Sequence, residues 1–255
     1  MIQLLKGDCL ELMKDIPDGS IDAIITDPPY GTTALKWDSV IDFKLMWEQL
    51  NRITKPNGAI VLFGKQPFTS RLIISNIYCY KYSFIWHKSI AGNFINARKM
   101  PLILTEDICV FSNGVLNYNA KTEKKESKNI RNTKSNNRCE YKKGSHYEGT
   151  KTGVYNEFRI IPTDEKYTSN VLNFKSLGNN NKNRKHPTQK PIELMKRLIE
   201  HYTNEGETIL DFTMGSGSTM VAAQNLNRNG IGIEMDANYF KIAEQRIKEN
   251  EFKLF

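Results

Sequence analysis

The chain has 255 residues, 36 Lys and Arg against 28 Asp and Glu, and a net charge of +8. That length suits one α/β domain with an insertion, and the positive balance favours a polyanionic partner. Cys9, Cys79, Cys109 and Cys139 stand far apart with no CxxC or Cys/His cluster, which argues against a metal site or a disulfide framework, while the absence of a long apolar run or leader argues for a cytoplasmic protein with no membrane association.

In chain order, Ile2–Leu5 reads as a short strand and Cys9–Ile16 as a short helix. Ile21-Asp22-Ala23-Ile24-Ile25-Thr26 is an apolar, β-branched run of the kind that forms a buried strand. Phe43, Met46, Trp47, Leu50 and Ile53 follow helical spacing, and Lys55-Pro56-Asn57-Gly58 is expected to stop that helix before a strand at Ala59–Phe63. Phe68, Leu72, Ile73 and Ile77 mark a further helix; Tyr82–His87 and Asp107–Phe111 read as strands. Ile192, Met195, Ile199 and Tyr202 line one face of a helix ending near Gly206. The strand Thr208–Phe212, a helix from Met220 to Leu226, the strand Gly230–Glu234 and an amphipathic helix from Asp236 to Asn250 complete the chain. Alternating strands and helices imply a mostly parallel sheet with helices on both faces.

Two places in this pattern carry chemistry. The first is Asp27-Pro28-Pro29-Tyr30, directly after the run Ile21–Thr26. Ligands of open α/β sheets bind at the carboxyl ends of strands. Two consecutive prolines donate no N–H and restrict φ, so the turn is stiff and its carbonyls are free to accept. The Asp27 carboxylate and the Pro28 carbonyl, beside the Tyr30 ring, suit a planar base bearing an exocyclic amine. The second is the glycine-rich turn Thr213-Met214-Gly215-Ser216-Gly217-Ser218-Thr219 between a strand and a helix. Glycines there let the backbone approach a ligand at a helix N-terminus. The next strand ends in Glu234, where nucleotide-type folds place an acid on ribose hydroxyls. Met220 occupies the position of the third glycine of GxGxxG, so this order of elements points to an adenosine-containing cofactor without matching that motif.

Together the two motifs resemble the S-adenosylmethionine-dependent amino-methyltransferases of DNA, which carry DPPY and an FxGxG-type turn. Phe212 stands one residue further from Gly215 than FxGxG requires, and the related D-P-F-x-G-S-G-T pattern is closer to Asp211–Thr219. The motif order, with DPPY first and the glycine turn last, resembles the β group of these enzymes, a circular permutation. Gly7-Asp8-Cys9 resembles the family's G-D segment, and His186-Pro187-Thr188-Gln189-Lys190-Pro191 its H-P-T-Q-K-P segment. The resemblance covers residues 1–113 and 184–250. It implies a Rossmann-like methyltransferase fold, S-adenosylmethionine as cofactor and double-stranded DNA as substrate. The implied catalytic residues are Asp27, Pro28, Pro29 and Tyr30, with Tyr30 stacking on a flipped base. The implied cofactor residues are Asp8 with Cys9 at the adenine and Glu234 with Met235 at the ribose. Asp211, Phe212, Gly215, Gly217, Ser218 and Thr219 belong to the strand end and glycine turn, Thr188, Gln189 and Lys190 border the methionine end, and Asp27 is a further implied cofactor contact.

D-P-P-Y in this family goes mostly with adenine N6 and S-P-P-Y with cytosine N4, so adenine is the expected target. Cytosine N4, an RNA or protein amide, and a non-catalytic nucleic-acid-binding role are the alternatives. No cysteine lies beside a proline near a strand end, which argues against the covalent route to cytosine C5. The resemblance is compatible with a separate restriction endonuclease as partner and with a homodimer. Between Lys121 and Lys190 there are 17 Lys and Arg against 7 Asp and Glu, a net of +10, while the remainder nets −2. The excess charge therefore lies wholly in this segment, also rich in Asn, Ser and Tyr. Its cations suit phosphates, and its Asn, Arg and Tyr side chains suit base edges. The expected organisation is a catalytic half at 1–113, a target-recognition insert at 114–183 and a cofactor half at 184–255. Residues 31–38 are expected to form a loop over the base pocket, and 93–101, with Arg98 and Lys99, resemble the family's segment flanking the target base.

Overall fold

A computed structural model describes residues 1–32, 38–124, 164–176 and 189–254. Trp37, His186, Pro187, Thr188 and most of the basic segment lie outside the described residues. The chain divides into two units, one of residues 1–119 with 169–255 and one of residues 120–168.

The larger unit is built on an eight-stranded sheet. Its strands are β1 (Ile2–Lys6), β2 (Ile21–Thr26), β3 (Thr54–Gly64), β4 (Tyr80–His87), β5 (Thr105–Phe111), β8 (Val171–Asn173), β9 (Thr208–Asp211) and β10 (Asn229–Glu234), in the order β1-β10-β9-β2-β3-β5-β4-β8. The last two strands of the chain thus sit between the first two. β10 pairs parallel with β1 and with β9, and β9 pairs parallel with β2. β5 is antiparallel to both its neighbours, β3 and β4. The parallel strands end at one edge of the sheet, and β5 begins at that same edge.

The helices are α1 (Cys9–Leu12), α2 (Phe43–Ile53), α3 (Phe68–Ser75), α4 (Ile192–Tyr202), α5 (Ser218–Asn225) and α6 (Ala237–Leu254). Alternation along the strands sends residues to opposite faces. Ala23, Ile25, Val61 and Phe63 pack with Leu194 and Leu198 of α4 and Ala222 of α5. Ile24, Ile60 and Leu62 pack with Met46 and Leu50 of α2 and Leu72 of α3. A third cluster joins Met220 and Val221 of α5 to Ala243 and Ile247 of α6. In α2 the buried residues Met46, Trp47, Leu50 and Ile53 form one stripe. The helix is capped by Asp42, whose side chain accepts from Leu45 N at 2.9 Å. No helix among the described residues is long and apolar enough to cross a membrane.

The structure departs from the sequence reading in four places. The run Lys55–Gly58 does not separate a helix from a strand: β3 starts at Thr54, directly after α2, and the four residues form an irregularity opposite Ile21–Ala23. Gly58 is required there, because a Cβ would meet the Asp22 carbonyl at 2.7 Å. The first helix shortens to one turn, followed by a 3-10 turn at Met13–Asp15. α3 ends at Ser75, leaving Ile77 half exposed. Finally, the insert read as 114–183 is narrower in the fold. Asn119 donates its backbone N–H to the His201 carbonyl at 2.7 Å, and Val171–Asn173 add to the main sheet beside β4. Leu172 is buried there, a single apolar residue too isolated in a polar stretch to be read as a strand.

The smaller unit contains β6 (Thr122–Lys124) and β7 (Glu165–Tyr167), paired antiparallel. A Lys166–Glu123 ion pair at 3.2 Å crosses the ribbon.

Candidate active site

Asp27-Pro28-Pro29-Tyr30 leaves the carboxyl end of β2, and Gly7-Asp8, Asp211 and Glu234 stand at the ends of β1, β9 and β10. These strands are parallel neighbours, so residues far apart in sequence meet at one sheet edge. A pocket of about 250 Å³ opens there. Its lining includes Asp8, Cys9, Asp27, Pro28, Pro29, Tyr30, Gln189, Lys190, Asp211, Phe212, Gly215, Ser218, Thr219, Glu234 and Met235. Of the predicted site residues within the described part, only Gly217 is missing from that lining. Its φ of +77° turns the chain into α5, and a Cβ would lie 3.0 Å from the Cβ of Ala243 in α6. The close approach to α6 requires a glycine at this position.

The glycine turn is held from three sides. Asp211, 4% exposed, accepts from the Thr26 hydroxyl at 2.5 Å, from the Thr219 hydroxyl at 2.5 Å and from Thr213 N at 3.2 Å. Burial pushes its carboxyl up to about 6 against the pull of those bonds. Glu234 accepts from Gly215 N at 2.9 Å and from Asp236 N at 2.7 Å. Arg246 of α6 donates to the Ser216 carbonyl and to its hydroxyl. The Thr213 hydroxyl donates to the Asp27 carbonyl at 3.1 Å, tying the turn to DPPY.

The DPPY segment has its own support. Asp38 accepts from the backbone N–H groups of Tyr30 at 2.8 Å, Gly31 at 2.9 Å and Thr32 at 2.9 Å. The Tyr30 ring packs on Phe68 with centroids 5.0 Å apart. Its hydroxyl meets Asp27 Oδ1 at 2.5 Å and Glu106 Oε1 at 3.1 Å. Lys190 Nζ bonds Asp27 Oδ2 and, at 3.0 Å, Glu106 Oε1. It also lies 4.8 Å from the centre of the Phe63 ring. Lys88 Nζ holds the other Glu106 oxygen at 3.1 Å.

Burial raises the Asp27 carboxyl, and Glu106 adds to that, while Lys190 opposes it. Burial alone would raise Glu106 as well, but the ammonium groups of Lys190 and Lys88 hold it below the usual carboxylate range. Burial would likewise lower Lys190, but Asp27 and Glu106 keep it above the usual lysine value and hence charged. Burial, followed by the two carboxylates, holds the Tyr30 phenol well above its ordinary value.

Lys88, Glu106, Asp38 and Arg246 belong to the site without being marked in the sequence. Glu106 lies near the start of an antiparallel strand, so the rule of strand carboxyl ends passes over it, and Lys88 enters only as its partner. Asp38 acts on backbone amides across a loop. Arg246 reaches the turn from a helix, 30 residues after Ser216. No spacing signal marks any of these residues.

The pocket offers the acceptor set that an adenosine-bearing methyl donor needs. A carboxylate has about four acceptor sites, and Glu234 spends two on backbone, leaving room for ribose hydroxyls. Asp8 uses one oxygen to cap α1, accepting from Leu10 N at 2.8 Å. Phe212 supplies an apolar wall, 1% exposed. These residues fit the group. The fold and this site define a Rossmann-like methyltransferase.

Comparison with known proteins agrees. The family model described as DNA methylase matches residues 21–245, and the chain belongs to that family. It is 30% identical over 266 residues to the type II methyltransferase M.HpaI of Haemophilus parainfluenzae, covering 99% of this chain and 76% of that one. It is 28% identical over 265 residues to the DNA adenine methyltransferase YhdJ of Escherichia coli (strain K12), covering 96% and 82%. The crystal structure of an M1.HpyAVI–SAM complex superposes with a TM-score of 0.63 at 26% identity, covering 96% of this chain and all of that one. The protein is an S-adenosylmethionine-dependent DNA methyltransferase.

Proposed function

We propose that the enzyme methylates N6 of adenine in double-stranded DNA at a specific sequence. The observation that carries this reading is the placement of Asp27 and the Pro28–Pro29 turn in the same pocket as the glycine turn, with Thr213 joining the two. The D-P-P-Y form of the motif and the similarity to a DNA adenine methyltransferase support adenine over cytosine.

S-adenosylmethionine, when bound, supplies a methyl group on a positively charged sulfur. Asp8 and Glu234 would hold its adenosine end, and Gln189 and Lys190 would border its methionine end. The target adenine leaves the duplex to reach the strand edge. The Asp27 carboxylate and the Pro28 carbonyl accept hydrogen bonds from its amine. Those bonds fix the nitrogen lone pair toward the pocket, so positioning and electrostatics do most of the catalysis. Tyr30, supported by Phe68, would present its ring to the base. The rigid prolines hold the Pro28 carbonyl in place.

The basic insert, residues 120–168 of the smaller unit, supplies target recognition in this reading, with its cations on phosphates. The type II name of its relatives supports a separate restriction endonuclease as functional partner.

The test is methyl transfer from labelled S-adenosylmethionine to unmethylated genomic DNA, followed by nucleoside mass spectrometry. N6-methyladenine is expected. N4-methylcytosine would overturn the target base, and label appearing only in RNA or protein would overturn the substrate.

A further inference from the structure

We propose that Glu106 is a positioning residue for methyl transfer: it takes the Lys190 ammonium from Asp27 as the target amine arrives, so that Asp27 is free to receive it. This rests on the reading of Asp27 as acceptor of the amine.

The geometry behind it is a donor shared between two carboxylates. Lys190 Nζ bonds Asp27 Oδ2 and Glu106 Oε1 together, and the side chains of Lys190 and Glu106 are only 8% and 10% exposed. An ammonium that loses its partner at such a depth is strongly disfavoured. Lys190 can therefore leave Asp27 only if another carboxylate already holds it. If Asp27 were its sole partner, a charged donor would occupy the acceptor that a neutral amine needs, and the charged donor binds more strongly.

Glu106 is prepared for this exchange. Lys88 occupies its Oε2 at 3.1 Å, which leaves Oε1 toward Lys190 and toward the Tyr30 hydroxyl. Tyr30 has one hydroxyl hydrogen and faces both carboxylates, so it can follow the same exchange. Two carboxylates and two ammonium groups balance, so moving Lys190 changes no net charge. The position of β5 makes this possible: as an antiparallel strand it begins where its neighbours end, and Glu106 pairs with Trp86, two residues before Lys88.

The charged and titratable groups around Asp27 are Tyr30 on its own turn, Glu106 on β5, Lys88 after β4, Lys190 before α4 and Asp211 on β9. Glu106 does not line the pocket, so its loss should spare cofactor affinity.

The experiment is a kcat and KM pH profile of wild type, Asp27→Ala, Glu106→Gln and Lys88→Met on methyl transfer to DNA, with thermal unfolding of each. Glu106→Gln is expected to lower kcat about tenfold or more and leave KM for S-adenosylmethionine unchanged. It should also move the acid limb of kcat about one unit to lower pH, because a negative charge beside Asp27 is gone. Lys88→Met should move the same limb to higher pH. A Glu106→Gln enzyme with wild-type kcat and an unmoved limb overturns the proposal, as does a loss confined to cofactor KM. If Glu106→Gln does not fold, an unmoved limb in Lys88→Met overturns it. An active Asp27→Ala enzyme would instead overturn the underlying reading of Asp27.

Discussion

Asp211 accepts the hydroxyl of Thr26 at 2.5 Å, and the two residues lie 185 positions apart in the chain. This bond clasps the last residue of β2 to the last residue of β9, the strands that carry DPPY and the glycine turn. Thr219 binds the other Asp211 oxygen, and Thr213 binds the Asp27 carbonyl. The DPPY segment and the glycine turn thus share one buried carboxylate. In the proposed mechanism that sharing keeps the base and the cofactor in register, which a methyl transfer without a covalent intermediate requires.

The clasp has a pH signature. The folded-state value of Asp211 stands at about 6, above the ordinary 3.8. Its contribution to stability is therefore fully present below the unfolded value and is lost as pH rises through about 6. The loss is on the order of 3 kcal/mol. Asp211→Asn removes this titration. Denaturant unfolding of both proteins at a series of pH values should show wild type losing ground to the variant between about pH 4 and 6. Parallel curves would contradict the assignment.

Asp27→Ala should leave S-adenosylmethionine binding near wild type by calorimetry, because the adenosine contacts lie on other strands. Methyl transfer should fall by about 10²–10³-fold or more, the scale of losing a preorganised electrostatic contact to the reacting group. Undiminished turnover would remove Asp27 from the mechanism.

Asp38→Ala exposes three backbone N–H groups that now share one carboxylate. Hydrogen bonds to a charged group contribute about 1.5–3 kcal/mol each, but a loop can relax and rehydrate part of this. The expected result is a loss of about 2 kcal/mol in unfolding free energy and a fall in kcat, with cofactor affinity little changed. The kcat effect distinguishes a support for Tyr30 from a simple loop contact.

Gly215 and Gly217 should separate by function. Both have positive φ, +53° and +77°, so alanine at either position is disfavoured by about 1–2 kcal/mol. Gly217→Ala adds a tight contact with Ala243 in α6 and should lose more stability. Gly215→Ala stands in the pocket and should lose more cofactor affinity. The reverse pattern, read by calorimetry and thermal unfolding together, would show that the glycine next to α6 is the one that meets the ligand.

Several elements are legible in the chain alone. Apolar runs such as Ile21–Thr26 and stripes such as Met46, Trp47, Leu50 and Ile53 encode their elements locally, through strand pairing of β-branched residues and the helical period. DPPY and the glycine turn declare themselves because proline and glycine act on their own backbone. Glu234 is legible because its strand is the next one after the glycine turn. Lys55–Gly58 misleads, since an irregularity inside a paired strand and a loop call for the same residues. Leu172 escapes notice because a three-residue edge strand carries almost no period.

The sequence by itself determined the α/β alternation, the order of the two motifs and the residues that follow β2 and end β10. Only the tertiary structure decided that Glu106 stands beside Asp27 with Lys88 on its other oxygen, that Asp211 ties β2 to the glycine turn and that Gly217 packs against α6. The physical reason is the same in each case. Backbone conformation and apolar period are properties of neighbours in sequence, whereas a buried polar group acquires its partner from the sheet order, and here that order brings Thr26 to Asp211 across 185 positions.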